Sequence, residues 1–270
     1  MDKIKRNERL AVMTQVLTQS PNRIFTLSHF CEIFSTAKST ISEDVAILQD
    51  TMNRFRLGRL ETVTGAAGGV RYRPIGKGTT DRAFVEGICE RLMAPGRHLP
   101  GGYLYFSDIL SDPQLVHGMG TLIASQYYDV SADFVLTMET KGIPVAMMTA
   151  EALRVPLIIA RHATKVYEGS AVNISYVSGS GNIETMALSR RAVKEGQRAL
   201  IVDDFMRAGG TAGGMIALMK EFSVSVAGVC FVLALENPKH RLVEGEKTLM
   251  LLSYIQDGEM LNIRPADWIK

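Results

Sequence analysis

The chain reads as an α/β protein in two parts, a small basic segment of helices and a hairpin followed by a larger domain on a mostly parallel sheet covered by helices. Three observations predict this. Apolar residues recur at helical spacing through the first fifty positions, then give way to two short β-rich runs around a glycine cluster. Beyond Pro74, buried-strand runs alternate with helical stretches, the pattern of a sheet covered on both faces. Charge divides at the same point. Through Pro74, eleven Lys and Arg stand against seven Asp and Glu, a net of +4, which leaves −2 for the rest. The expected domains are therefore residues 1–74 and 75–270.

Bulk properties set the frame. With 270 residues, 46% hydrophobic and 21% charged, the chain can bury two ordinary cores. A mean hydropathy of +0.08 suits a globular protein. Cys31, Cys89 and Cys230 lie far apart in apolar contexts, so buried, reduced thiols of a cytoplasmic protein are expected. The five histidines are scattered and no metal site is expected. The start, with Lys3, Lys5, Arg6, Glu8 and Arg9, has no apolar stretch behind it and is no signal peptide. The longest apolar run, Val224 to Leu235, is too short to span a bilayer.

In the first part, Ile4, Leu10, Val12, Met13, Val16 and Leu17 predict an amphipathic helix over 3–19, which Ser20-Pro21-Asn22 ends. Phe30, Ile33 and Phe34 share one face of a second helix, for which Thr26 is the cap. A turn, Ser35 to Lys38, leads to a third helix with Ile41, Val45, Ile47 and Leu48 inward and Ser39, Thr40, Ser42 and Glu43 outward. Then come Leu60 to Thr64, a turn from Gly65 to Gly69, and Val70 to Pro74, a hairpin with Arg71 and Arg73 on one face. Two helices, a tight turn, a third helix and a hairpin make a winged helix-turn-helix. Lys38, Ser39, Thr40 and Ser42 would enter a DNA groove, and Arg71 and Arg73 would meet phosphates. The bland alternative is a helical dimerisation or lid module with a solvated basic face.

In the second part, residues 79–93 read as a helix broken by Ala94-Pro95-Gly96. Asp112-Pro113 opens a helix toward Tyr127. Phe134 to Met138, Pro156 to Ala160, Arg198 to Val202 and Val224 to Leu235 read as strands. Gly142-Ile143-Pro144 and Thr211 open helices toward Arg154 and Phe222.

The most specific string is residues 199–211. An apolar strand, Ala199 to Val202, is followed by Asp203 and Asp204, then Phe205, Met206, Arg207 and Ala208, then Gly209, Gly210 and Thr211 where a helix starts. Adjacent acids at a strand end can accept hydrogen bonds from vicinal sugar hydroxyls. A glycine turn opening a helix offers bare N–H groups and a positive dipole end to phosphate. A dinucleotide site would place its glycines directly after the strand. The plain alternative is a strand-to-helix turn with a polar surface.

This string resembles the phosphoribosyl pyrophosphate (PRPP) motif of type I phosphoribosyltransferases. Glu139, Thr140, Lys141 and Gly142 similarly follow a strand and precede a helix, and they resemble the pyrophosphate loop of the purine-type enzymes. Between the two loops, residues 161–191 hold Arg161, His162, Lys165 and a Ser/Gly-rich centre with Ser178 and Gly179. Either a mobile loop over PRPP or an ordinary exposed hairpin fits. Tyr103, after Gly101-Gly102, either stacks on a base or fills the core, with core preferred.

A winged helix before such a domain resembles the purine operon repressors of Gram-positive bacteria, over nearly the whole chain. The resemblance implies a homodimeric, DNA-binding, cytoplasmic and nucleoid-associated repressor of purine synthesis and transport genes. PRPP, with Mg2+, would be its effector rather than a substrate, and guanosine polyphosphates would compete for the pocket. Arg207 stands where enzymes of the class have a small or hydroxyl residue. The alternatives are an active purine phosphoribosyltransferase with an accessory domain, and a DNA-binding or scaffold protein with a vestigial pocket.

Overall fold

The computed structural model describes residues 4–65, 68–74, 79–100, 103–163, 169–179, 181–238, 240–255 and 260–269. The chain divides into two compact units, residues 1–77 with 151–154, and residues 78–150 with 155–270.

The first unit contains α1 (Arg6–Thr18), α2 (Leu27–Phe34), α3 (Lys38–Phe55), β1 (Arg59–Val63) and β2 (Gly69–Arg73). Met13, Leu17, Phe30, Phe34, Ile41, Val45, Leu48 and Met52 form its core with Leu60, Val70 and Tyr72 of the hairpin. The Thr26 hydroxyl accepts the His29 amide at 3.2 Å, the cap read from sequence. Four apolar residues expected inward turn out to be exposed, Ile4, Val12, Ile33 and Ile47, because the packed stripe is narrower than a count of apolar residues suggests. Cys31 is half-buried against the core rather than inside it.

β1 and β2 pair antiparallel, with Glu61 opposite Arg71 and Arg59 opposite Arg73. Phe25 bridges Val70 on the other side of β2. Gly69 is needed there, since a Cβ would meet the Phe25 carbonyl. A buried ion pair joins two helices. Arg9 donates through Nε to Asp44 Oδ2 at 2.6 Å and through Nη2 to Oδ1 at 3.2 Å, with Asp44 fully buried.

The second unit carries α4 (Thr79–Met93), a small β3–β4 hairpin (His98–Leu99, Tyr103–Leu104), α5 (Ser107–Leu110) and α6 (Pro113–Ser125). It continues through β5 (Phe134–Met138), α7 (Ile143–Leu153), β6 (Leu157–Ala160), β7 (Ala171–Val177), β8 (Ile183–Ser189), β9 (Arg198–Met206), α8 (Gly210–Glu221), β10 (Ser225–Leu235), β11 (Lys247–Ile255) and β12 (Met260–Pro265). The main sheet has the order β12-β11-β10-β9-β5-β6. All its pairings are parallel except β11 with β12. Every residue of β5 is buried, as a strand covered on both faces requires. One face, including Leu136, Ile201 and Phe231, packs on Met215 and Leu218 of α8 and on Tyr176 and Met186 of the β7–β8 hairpin. The Asp112 carboxylate caps α6 from the Gln114 and Leu115 amides.

β9 outruns the expected Arg198–Val202. It stays extended through the acid pair to Met206 because Asp203, Phe205 and Met206 pair with Phe231, Leu233 and Ala234 of β10. No helix among the described residues is long and apolar enough to cross a membrane.

Candidate effector site and DNA interface

Parallel strands present their carboxyl ends along one edge, and the ligand sites of such sheets form there. At this edge a cavity of about 320 Å3 opens, lined by Lys141, Asp204 to Arg207, Gly209 to Ala212 and Gly179 on one side. Tyr103, Leu104, Phe106, Phe231, Leu233, Leu252 and Tyr254 line it on the other.

The acid pair sits where β9 meets the cavity. Asp203 is 6% exposed and Asp204 half-buried. Asp203 Oδ1 accepts the Asp204 amide at 3.1 Å and the Thr137 hydroxyl at 3.4 Å. Burial, reinforced by the neighbouring Asp204 charge, holds the Asp203 carboxyl well above the usual carboxylate range. Burial also raises Asp204, with the Lys141 ammonium opposing that shift. A carboxylate whose pKa burial raises destabilises the fold increasingly as pH climbs past its unfolded value, and fully above its raised native pKa. The effect fades as pH falls and is absent below the unfolded value near 3.8. Asp203→Asn, which keeps the accepting oxygen, should therefore stabilise this unit at pH 7 by on the order of 1 kcal/mol, about 2–4 °C in Tm. The gain should shrink toward pH 4. Equal Tm values for the two proteins at pH 7 would refute it.

The glycine turn lies under the β7–β8 hairpin. Gly209 is left-handed at φ 90° and caps α8 with no side-chain bond, so no cap side chain takes up the helix's first N–H groups. Gly210 admits no side chain, since a Cβ would meet the Val177 carbonyl and lie 2.9 Å from the Ser178 carbonyl carbon. The Leu242 amide donates to the Ala208 carbonyl at 2.8 Å and braces the turn from the other side. Arg207 is exposed at the cavity wall beside Gly179.

The Glu139–Gly142 loop follows β5. Its Glu139–Thr140 peptide is cis. Glu139 accepts the His162 amide at 2.7 Å and Arg161 Nη1 at 3.2 Å. Glu139 is thus engaged with Arg161 and His162, while Lys141 lines the cavity and Thr140 is exposed. Gly142 packs directly against Asp203.

The β7–β8 hairpin is present, closed by the Ser178 amide on the Asn182 carbonyl at 2.8 Å. Ser178 is buried, whereas Gly179 reaches the cavity. Lys165 lies outside the described residues. Tyr103 is 70% exposed on the cavity rim, so the preference for core is overturned. It sits in a two-residue strand of a small hairpin. Phe231, Leu233, Leu252 and Tyr254 were not read from the sequence as site residues. Their signal was position alone, apolar residues near the carboxyl ends of strands flanking the acid pair. Among the described residues no three His, Cys, Asp or Glu converge as a metal site.

In the first unit, Lys38, Ser39, Ser42 and Glu43 are exposed along the start of α3, with Thr40 half-buried. The hairpin arginines need correction as phosphate contacts. Arg73 is 5% exposed, donates to Glu61 Oε1 at 3.1 Å and to Asn22 Oδ1 at 3.3 Å. Arg71 holds Glu61 Oε2 through Nε at 3.0 Å and Nη2 at 2.9 Å. Both share one face as expected, but a carboxylate on the opposing strand already occupies them.

Two family descriptions match separate stretches of the chain. Residues 5–74 match the family described as bacterial purine repressor, N-terminal, and residues 107–257 match the phosphoribosyl transferase domain. The chain is 44% identical over 258 residues to the purine biosynthesis transcriptional repressor PurR of Bacillus subtilis (strain 168), covering 95% of this chain and 90% of that protein. It is 40% identical over 253 residues to the purine biosynthesis transcriptional activator PurR of Lactococcus lactis subsp. lactis (strain IL1403), covering 93% of each. In fold it is similar to adenine phosphoribosyltransferase from Thermoanaerobacter pseudethanolicus, with a TM-score of 0.53 and 21% identity, covering 61% of this chain and 96% of that one. With relatives along nearly its whole length and a repressor-type unit ahead of a phosphoribosyltransferase-type sheet, the chain belongs to the PurR family of purine biosynthesis transcriptional regulators.

Proposed function

We propose that this protein is a PRPP-responsive repressor of purine synthesis and transport genes, released from DNA when PRPP fills the cavity of the second unit. The observation that carries the reading is the cavity itself, where Asp204, Lys141 and the start of α8, which has no side-chain cap, converge. Asp203 and Asp204 would hold the ribose hydroxyls, residues 207–211 the 5-phosphate, and residues 139–142 the pyrophosphate. Phe205 and Met206 would wall the ribose, and Mg2+ would arrive bound to the pyrophosphate. Tyr103, Gly179 and the apolar wall leave room for a nucleotide with a base, which supports guanosine polyphosphates as competitors. Lys38, Ser39, Thr40 and Ser42 would face the DNA groove. A homodimer, a cytoplasmic, nucleoid-associated location and a domain boundary near Pro74 complete the proposal.

PRPP must then bind the DNA-incompetent state better, and DNA must weaken PRPP by the same factor. The test is a DNA-protection assay on purine gene control regions, with and without PRPP and Mg2+. Wild type should be released by PRPP. Asp204→Ala should keep its DNA affinity and lose the response. PRPP-driven release retained in that variant would overturn the site. Because relatives carry the names repressor and activator, the same regions in a reporter strain lacking the protein would fix the sign of control. Derepression supports the reading, and loss of expression replaces repression with activation.

A further inference from the structure

The start of α3 is a poor source of attraction for a polyanion. Its exposed charged positions, Lys38 and Glu43, carry opposite signs. The hairpin differs. Successive strand residues alternate faces, so Leu60, Val70 and Tyr72 enter the core while Arg59, Glu61, Arg71 and Arg73 share the outer face. One carboxylate there stands among three guanidiniums, a formal surplus of +2.

The three arginines are not equivalent. Arg71 grips Glu61 Oε2 with two nitrogens, and Arg73 hydrogen-bonds Oε1 at 3.1 Å. Arg59 reaches the same Oε1 only at 3.5 Å, without a hydrogen bond, and its side chain is 61% exposed. Glu61 is thus held by the inner pair, and the outermost arginine keeps its donors in water. Like charges held in a row repel, and a phosphodiester laid along the row relieves that repulsion and releases counterions.

We infer that Arg59 is the hairpin's phosphate contact on double-stranded DNA, and that Glu61 is a positioning residue that locks Arg71 and Arg73 inward and so sets how many hairpin cations DNA meets. This rests on the DNA-binding reading of the first unit and replaces Arg71 and Arg73 as the contacts.

The experiment measures affinity of the full-length protein for a purine control-region duplex and for an unrelated duplex of equal length, each across a salt series. Each phosphate contact contributes about 0.9 to the slope of log affinity against log salt. Arg59→Ala should flatten the slope by about that amount and weaken both duplexes by the same factor. Arg59→Lys should restore the slope, since a phosphate accepts any cation, whereas a structural role would not be rescued this way. Glu61→Gln should free an inner arginine, steepen the slope by about 0.9 and tighten the unrelated duplex. A wild-type slope in Arg59→Ala, a failed rescue by lysine, or a flatter slope in Glu61→Gln would each overturn the assignment. Wild-type protein that binds neither duplex would instead overturn the DNA-binding reading.

Discussion

Asp44→Ala is expected to unfold the N-terminal unit and abolish DNA binding while leaving the cavity-bearing unit intact. Asp44 is fully buried on α3 and takes two hydrogen bonds from Arg9 of α1, with Arg6 adding an ion pair at 3.4 Å. The Asp44 hydrogen bonds and charge in turn hold the Arg9 guanidinium above its ordinary pKa. Removing one partner of a buried pair strands the other charge and costs about 3–5 kcal/mol. A native domain has about 5–15 kcal/mol in all, so a small one loses most of its margin. The pair also sets where α3 presents Ser39 and Ser42, so function should fail before the fold is wholly lost. The single tryptophan, Trp268, lies in the second unit and does not report on the first. Hydrogen exchange at core amides such as Met13 and Leu48 does, and should accelerate by about two to four orders of magnitude, matching that cost. The double variant Arg9→Met with Asp44→Leu should recover protection, because replacing both charges by apolar groups is often neutral or better. Wild-type exchange in Asp44→Ala would show that the pair carries no stability.

Asp44 also marks the limit of what the chain disclosed. Periodicity exposed Ile41, Val45 and Leu48 as the inward stripe, but an aspartate within that stripe reads as surface until its partner is seen. Nothing in sequence pairs it with Arg9, 35 positions earlier. Local chemistry was legible wherever one residue type decides a backbone. Asp112 before Pro113 and Thr26 before its helix both cap as expected, and the Phe134–Met138 strand has the bounds its apolar run implied. The motif at 203–211 was legible for the same reason, since its glycines answer to steric needs within a few residues. What resisted was tertiary. β9 runs past its acids because β10 offers hydrogen bonds to Asp203 and Phe205, and no local signal distinguishes that from a loop. The apolar wall of the cavity comes from β10 and β11, close in space only because parallel strands end together. Arg73 looked free on one hairpin face, but it is buried and held by Glu61 of the opposing strand and by Asn22.

Gly142→Ala should uncouple effector from DNA. A Cβ at Gly142 would fall inside the contact shell of Asp203 Oδ1 and 2.6 Å from the Thr137 hydroxyl. Asp203 cannot retreat, because its carboxylate already accepts the Asp204 amide and its backbone is paired opposite Phe231. The loop must move instead, carrying Lys141 away from the cavity. Overpacking of this kind costs about 1–3 kcal/mol. Taken from binding alone, that is roughly 5- to 150-fold in Kd for PRPP. DNA affinity should hold, since α3 and the hairpin are untouched, so the variant should remain on operator DNA at PRPP concentrations that release wild type. Gly213→Ala is the matched control. It is half-buried on α8 but has nothing within 4 Å of where its Cβ would stand, and alanine there should favour the helix by up to about 1 kcal/mol. Calorimetry with PRPP and Mg2+ separates the two glycines. Weakened binding in Gly142→Ala and unchanged binding in Gly213→Ala would tie the Glu139–Gly142 loop to the effector. Wild-type affinity in Gly142→Ala would remove that loop from the site, because a pyrophosphate held by Lys141 could not tolerate the displacement that alanine forces.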